Sequence, residues 1–125
     1  MLRKMTVSVP RSDDMIVVGY FLARLTILDR KGRPKPPDSL SCSTWTAAYD
    51  LFFAALADGR TPQQFRHSLR NTRDIFDPLF DNGRAGWSDG QKRGQALSPR
   101  DVMTHQYWAQ RDDAELAGYV AHLVG

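Results

Sequence analysis

The sequence predicts one mainly α-helical domain spanning residues 1–125, built from five helices with a short β-hairpin, or wing. First, a chain of 125 residues with 42% hydrophobic side chains is long enough to bury a single core without disulfides. Second, five apolar or amphipathic runs each begin just after a Ser, Thr or Asp, residue types that cap helix N-termini. Third, glycines and prolines separate these runs, which predicts short turns and loops between the helices.

The first helix is predicted to follow Ser12 and to run from Met15 to Leu28. It is apolar on most sides, which is typical of a buried helix, although the β-branched cluster at 16–18 leaves a strand as the alternative. Residues 29–41 are predicted to be a loop, because three prolines and a glycine cannot continue a helix. Cations such as Lys31, Arg33 and Lys35 make this loop basic.

The second and third helices are separated by a short glycine-containing turn. Ser43 or Thr44 is expected to cap the second helix, which has an aromatic face between Trp45 and Leu56. Thr61 is expected to cap the third, which spans 62–77 with proline at its first position and a glutamine placed to complete a capping box. Helix, turn and helix in this order predict a helix-turn-helix.

The C-terminal third of the chain is predicted to hold the wing and two more helices. Asn82-Gly83 and Asp89-Gly90 are both type I′ turn signals and favour a hairpin near 83–95, as in a winged helix. Ser98 is expected to cap a fourth helix that reaches about Gln110, and Asp112 a fifth with an apolar stripe.

Composition and motifs narrow the classes of function. No apolar run approaches the roughly 20 residues that span a membrane, the N-terminus lacks a secretory signal, and the single cysteine, Cys42, cannot form an internal disulfide. These features favour a cytoplasmic protein. Because the histidines are far apart and Cys42 lacks a CxxC partner, we expect no metal and no cofactor. Motifs such as a Walker loop or G-x-S-x-G are absent, which favours a non-catalytic binding domain.

The basic side chains of the third helix predict a nucleic-acid-binding surface. Of the 17 cationic residues, 13 are arginine, whose planar guanidinium suits phosphates and guanine edges, although a GC-rich genome also enriches arginine. Arg66, Arg70 and Arg73 stand at i, i+4 and i+7 and are expected to project together into solvent. An apolar seam that includes Phe65 and Phe76 is expected to dock on the second helix.

The glycine-rich segment after Phe80 is predicted to clamp beside this helix, with its cations along a DNA backbone or in the minor groove. Trp87 is expected either to stack on a base or sugar or to pack back into the core. The predicted nucleic-acid-binding residues are Gln63, Arg66, His67, Arg70, Asn71, Arg73, Arg84, Trp87, Lys92 and Arg93.

A family resemblance points the same way. The stretch Ser68-Leu69-Arg70-Asn71-Thr72-Arg73-Asp74-Ile75-Phe76-Asp77, continued by Asn82-Gly83-Arg84-Ala85-Gly86-Trp87, resembles small domains joined to bacterial restriction endonucleases. Such domains are DNA-reading accessories, some of them for modified DNA. The resemblance implies double-stranded DNA as a partner, with or without modification, and a nuclease partner or a fused nuclease domain within a restriction-modification or regulatory system.

Two alternatives stay open. The first is a protein-interaction module, such as an inhibitor or adaptor from a mobile element, because an aromatic pair such as Tyr107-Trp108 often binds partner proteins. The second, more remote, is a Mg²⁺-dependent nuclease in which Asp14 and Asp29 hold the metal and Lys31 positions the attacking water. That site requires residues 16–28 to form a strand.

Overall fold

A computed structural model describes residues 10–56, 59–80 and 97–125. This part of the chain is mainly helical, which confirms the predicted class, and it contains five α-helices and one two-stranded antiparallel sheet. The helices are α1 (Asp13–Arg24), α2 (Trp45–Leu56), α3 (Pro62–Phe76), α4 (Pro99–Ala109) and α5 (Asp113–Val124). The strands are β1 (Ile27–Leu28) and β2 (Pro34–Lys35), and 3₁₀ helices occupy Asp38–Leu40 and Asp77–Leu79.

The predicted N-caps are confirmed, because short polar side chains satisfy backbone N–H groups that the first turn leaves unpaired. The Ser12 hydroxyl accepts from the backbone N–H of Met15 at 3.1 Å, and Asp112 accepts from that of Glu115 at 2.8 Å. Capping boxes open α3 and α4; in α3, Gln64 N–H donates to the Thr61 hydroxyl and the Gln64 side chain accepts from Thr61 N–H.

The first helix is shorter than predicted. It ends at Arg24, four residues before Leu28, and Ile27 and Leu28 instead form β1. β2 pairs with it so that Leu28 lies opposite Pro34, which places a hairpin within and just before the segment predicted to be a loop. The hairpin predicted near 83–95 lies outside the described residues.

Helix α1 lies at the centre of the core, and all of its residues from Met15 to Ala23 are buried. Its most extensive contact is with α3, where Gly19 permits a close approach: a Cβ at this position would meet Thr72 Cγ2 at 2.4 Å. The expectation that the apolar seam of α3 docks on α2 therefore holds only in part: the Phe65 ring meets that of Phe53 in α2 at 5.6 Å, but the main partner of α3 is α1. The seam faces α1, with the rings of Tyr20 and Phe76 in edge-to-face contact at 5.2 Å, and α2 lies to one side.

The C-terminal end of α1 is joined to the turn between α4 and α5 by hydrogen bonds and an ion pair. The Arg24 guanidinium donates to the backbone carbonyls of Trp108 at 2.7 Å and Arg111 at 2.6 Å. It also forms an ion pair with Asp113 at 2.9 Å. One arginine thus gives the Trp108 carbonyl a further donor, beside the backbone N–H of Arg111, and also pairs the Arg111 carbonyl in the turn.

No helix in the described ranges has both the length and the apolar character needed to cross a membrane.

Candidate nucleic-acid interface

A cleft of about 300 Å³ between α2 and α3 brings together four of the predicted binding residues. It is lined by Thr46, Tyr49, Gln63, Arg66, His67 and Arg70. Because Phe65, Leu69 and Phe76 are buried on the opposite side of α3, the four cleft residues that α3 contributes are left on its outer side. Guanidinium, amide, imidazole and hydroxyl groups converge here, and together they supply the donors that phosphate oxygens accept.

Arg70 is the most available cation of the cleft. Its side chain is exposed, and within the described part of the chain it makes no ion pair or hydrogen bond. An exposed guanidinium without a carboxylate partner can meet an anionic ligand without first breaking an internal contact.

Arg66 is partly exposed and is paired. Its Nε and Nη2 atoms each lie 3.3 Å from Asp50 Oδ1, while 42% of the Arg66 side chain and 53% of the Asp50 side chain remain exposed. A solvent-exposed pair of this kind contributes about 0–1 kcal/mol, so a phosphate can replace the carboxylate at little cost.

Arg73 does not project into solvent, so the prediction that it points outward together with Arg66 and Arg70 is wrong. Its side chain is 4% exposed, donates a hydrogen bond to the Tyr49 hydroxyl, and lies 3.5 Å from Asp74 Oδ1. The guanidinium carbon also lies 4.7 Å from the centre of the Trp45 ring. The physical reason is the position of α2: because α1 is the main partner of the apolar seam, α2 packs to one side of it and covers the C-terminal part of the arginine line.

The remaining predicted residues fall elsewhere. Asn71 is half-buried and does not line the cleft. Four others lie outside the described residues: Arg84, Trp87, Lys92 and Arg93. Sequence reasoning missed the contribution of α2, namely Thr46, the Tyr49 hydroxyl and the carboxylate of Asp50. Tyr49 belongs to the aromatic face of α2 and is itself mostly buried, and no signal in α3 alone indicates which polar groups of α2 stand opposite it.

A second cavity, of about 490 Å³, is a groove between α1, α4 and α5. Three large apolar side chains in its wall are exposed, with Met103 68%, Tyr107 52% and Tyr119 39% accessible. Trp108, which was paired with Tyr107 in the protein-interaction alternative, is buried. The Tyr119 hydroxyl donates to Asp14 Oδ1 at 2.7 Å, and this hydrogen bond together with burial raises the pKa of Tyr119 to about 12.

The arrangement that a Mg²⁺-dependent nuclease requires is not formed. Residues 16–24 are helical rather than extended, and Asp14 accepts a hydrogen bond from Tyr119. The Asp29 carboxylate accepts from the backbone N–H groups of Arg33 at 2.9 Å and Lys31 at 2.8 Å, and the bond from Arg33, foremost, lowers the Asp29 pKa. Among the described residues, no group of three or more His, Cys, Asp or Glu side chains is placed to hold a metal ion.

Comparison of the chain with protein-family models, with curated proteins and with solved structures found no match in any of the three.

Proposed function

We propose that this domain binds duplex DNA without catalysing a reaction, and that the α2–α3 cleft meets the phosphate backbone. One observation carries the proposal: Gln63, Arg66, His67 and Arg70 line a single solvent-facing cleft. Arg70 is free to bind, and Arg66 is held only by an exchangeable surface pair. The cleft therefore offers two phosphate-binding guanidinium groups in place of the three that the helical spacing predicts.

The resemblance to accessory domains of bacterial restriction endonucleases directs the proposal to double-stranded DNA, with or without modification. On this reading the domain positions a nuclease partner, or a nuclease domain in the same polypeptide, on its target. The phosphate contacts supply affinity and orientation, while Gln63 is of a residue type that reads adenine edges in the major groove.

Removal of both guanidinium groups tests the proposal. In a fluorescence titration of labelled duplex DNA at several salt concentrations, the Arg66→Ala/Arg70→Ala variant is expected to bind more weakly than the wild type. The logarithm of the association constant K falls linearly with the logarithm of the salt concentration, and each lost phosphate contact makes this slope shallower by about 0.9. Loss of two contacts is therefore expected to make the slope shallower by about 2. Identical slopes for the variant and the wild type would remove the cleft from consideration.

Asp50→Asn is the matched control, because it changes the same cleft in the opposite electrostatic direction. The substitution frees Arg66 from its carboxylate and removes one negative charge. We expect tighter DNA binding by a factor on the order of two to five, which corresponds to the worth of an exposed ion pair. Weaker binding by this variant would show that Asp50 positions Arg66 for its ligand and does not compete with it.

A protein-interaction module is the second candidate, favoured by the exposed apolar wall of the α1–α4–α5 groove. If a partner protein docks there, it is expected to co-purify with the wild type at high salt and to be lost from the Met103→Asp/Tyr107→Asp variant. The same variant is expected to leave DNA binding by the cleft unchanged, because the two surfaces share no lining residue. Retention of the partner by the variant argues against this groove.

A further inference from the structure

The hairpin formed by β1 and β2 has a defined conformation despite its short strands. Asp29 N–H donates to the Arg33 carbonyl and Gly32 N–H donates to the Asp29 carbonyl, each at 2.9 Å. Gly32 has φ of +76°, a left-handed conformation that glycine adopts without steric cost and that lets the turn rejoin β2. The Asp29 carboxylate fixes the same turn from inside through two backbone N–H groups.

This turn presents an excess of positive charge. Four exposed cations lie on the hairpin or its turn: Arg30, Lys31, Arg33 and Lys35. Only Arg33 has a carboxylate partner in the described part of the chain, and that partner, Asp29, is engaged by the turn itself. Because the backbone is held in place, binding of an anion to these side chains requires the ordering of side chains alone.

The hairpin lies beside the proposed DNA-binding cleft. The Trp45 indole N–H donates to the Pro34 carbonyl of β2 at 3.2 Å. The same Trp45 ring packs against the Arg73 guanidinium of α3, and its centre lies 6.2 Å from that of Tyr49, which lines the cleft. A single aromatic pair therefore separates the basic hairpin from the cleft.

We propose that the hairpin of residues 27–35 is a second DNA-backbone contact, an arm that follows phosphates next to those held in the α2–α3 cleft. The inference rests on the proposed function, since it extends the same interface. A two-stranded ribbon packed beside a helix pair extends the contact along the DNA backbone beyond the phosphates that the helices contact. In this respect the hairpin fills the role assigned from the sequence to the wing predicted near 83–95.

Three variants that each lose two positive charges test the inference: Lys31→Ala/Lys35→Ala in the hairpin, Arg66→Ala/Arg70→Ala in the cleft, and Arg100→Ala/Arg111→Ala near the α1–α4–α5 groove. The hairpin variant leaves the Asp29–Arg33 turn contacts in place. Duplex DNA is titrated from about 50 mM to about 300 mM salt, and the slope of log K against log salt is compared. Urea unfolding of each variant verifies that the fold is intact.

The hairpin and cleft variants are each expected to reduce the magnitude of the slope by about 2, and the groove variant is expected to have the slope of the wild type. A lower slope for the cleft variant alone overturns the hairpin inference and leaves the proposed function standing. A lower slope for the hairpin variant alone overturns the cleft, and with it the shared interface. If all three variants have the same slope as one another, or if DNA binding by the wild type does not depend on salt, both the hairpin inference and the proposed function are overturned.

Discussion

Arg73→Ala is expected to lower the free energy of unfolding by about 3 kcal/mol, since it removes a buried, hydrogen-bonded side chain and leaves a cavity in its place. The guanidinium is almost wholly buried, donates to the Tyr49 hydroxyl and packs against the Trp45 ring. Alanine leaves a cavity beneath these rings and removes a cation from beside Asp74. Urea unfolding followed by circular dichroism measures the loss, which is a large share of the roughly 5–15 kcal/mol that stabilises a domain.

Arg70→Ala is the matched control, one helical turn away on the same helix. Its side chain is exposed and unpaired in the described part of the chain, so the free energy of unfolding is expected to change by less than about 0.5 kcal/mol. The two arginines thus separate stability from binding, with Arg73 supporting the fold and Arg70 contacting the ligand. A stable Arg73→Ala variant with weakened DNA binding would contradict this division and restore Arg73 to the binding face.

Gly19→Ala is expected to destabilise the domain by about 2 kcal/mol in the same unfolding assay. Alanine in place of helical glycine contributes about 1 kcal/mol of helix propensity, but the new methyl group would stand 2.4 Å from Thr72 Cγ2 and 3.1 Å from the Thr72 backbone carbon. Overpacking of a close helix contact costs about 3 kcal/mol, because α1 and α3 must separate. The steric term therefore exceeds the propensity term.

Two further variants distinguish steric overlap from other causes. Thr72→Ser removes the overlapping Cγ2 and keeps the hydroxyl that donates to the Ser68 carbonyl, so in the Gly19→Ala background it is expected to restore part of the lost stability. Gly118→Ala, in α5, meets no atom within 4 Å and is expected to stabilise the domain by about 0.5–1 kcal/mol. Destabilisation by both glycine substitutions alike would contradict the overlap at Gly19.

The local structure of this chain was predictable where a few neighbouring residues determine it. Ser12, Thr61, Ser98 and Asp112 each cap a helix as expected, because capping depends on one side chain and the first turn that follows. The hairpin was missed because proline density suggests a loop. Pro34 is nevertheless compatible with a short two-stranded sheet, and Asp29 with Gly32 carried the turn signal.

The candidate site was predictable only in part, because periodicity gives the direction of a side chain and not what lies opposite it. Both α1 and α2 are apolar enough to receive the seam of α3, and the choice between them decides the surroundings of every arginine on that helix. With α1 in that position, made possible by Gly19, α2 covers Arg73 and leaves Arg66 and Arg70 at the edge of a cleft.

Because some arginines join separate parts of the fold, they limit which substitutions this chain can accept during evolution. At Arg24 one planar group reaches two carbonyls and a carboxylate, and at Arg73 it both stacks on a ring and donates to a hydroxyl. Lysine is a compact point charge on a flexible stem and cannot reproduce such a fork. Replacement of arginine by lysine is therefore expected to be accepted at Arg30 and to be selected against at Arg24 and Arg73, whatever the ligand of the domain.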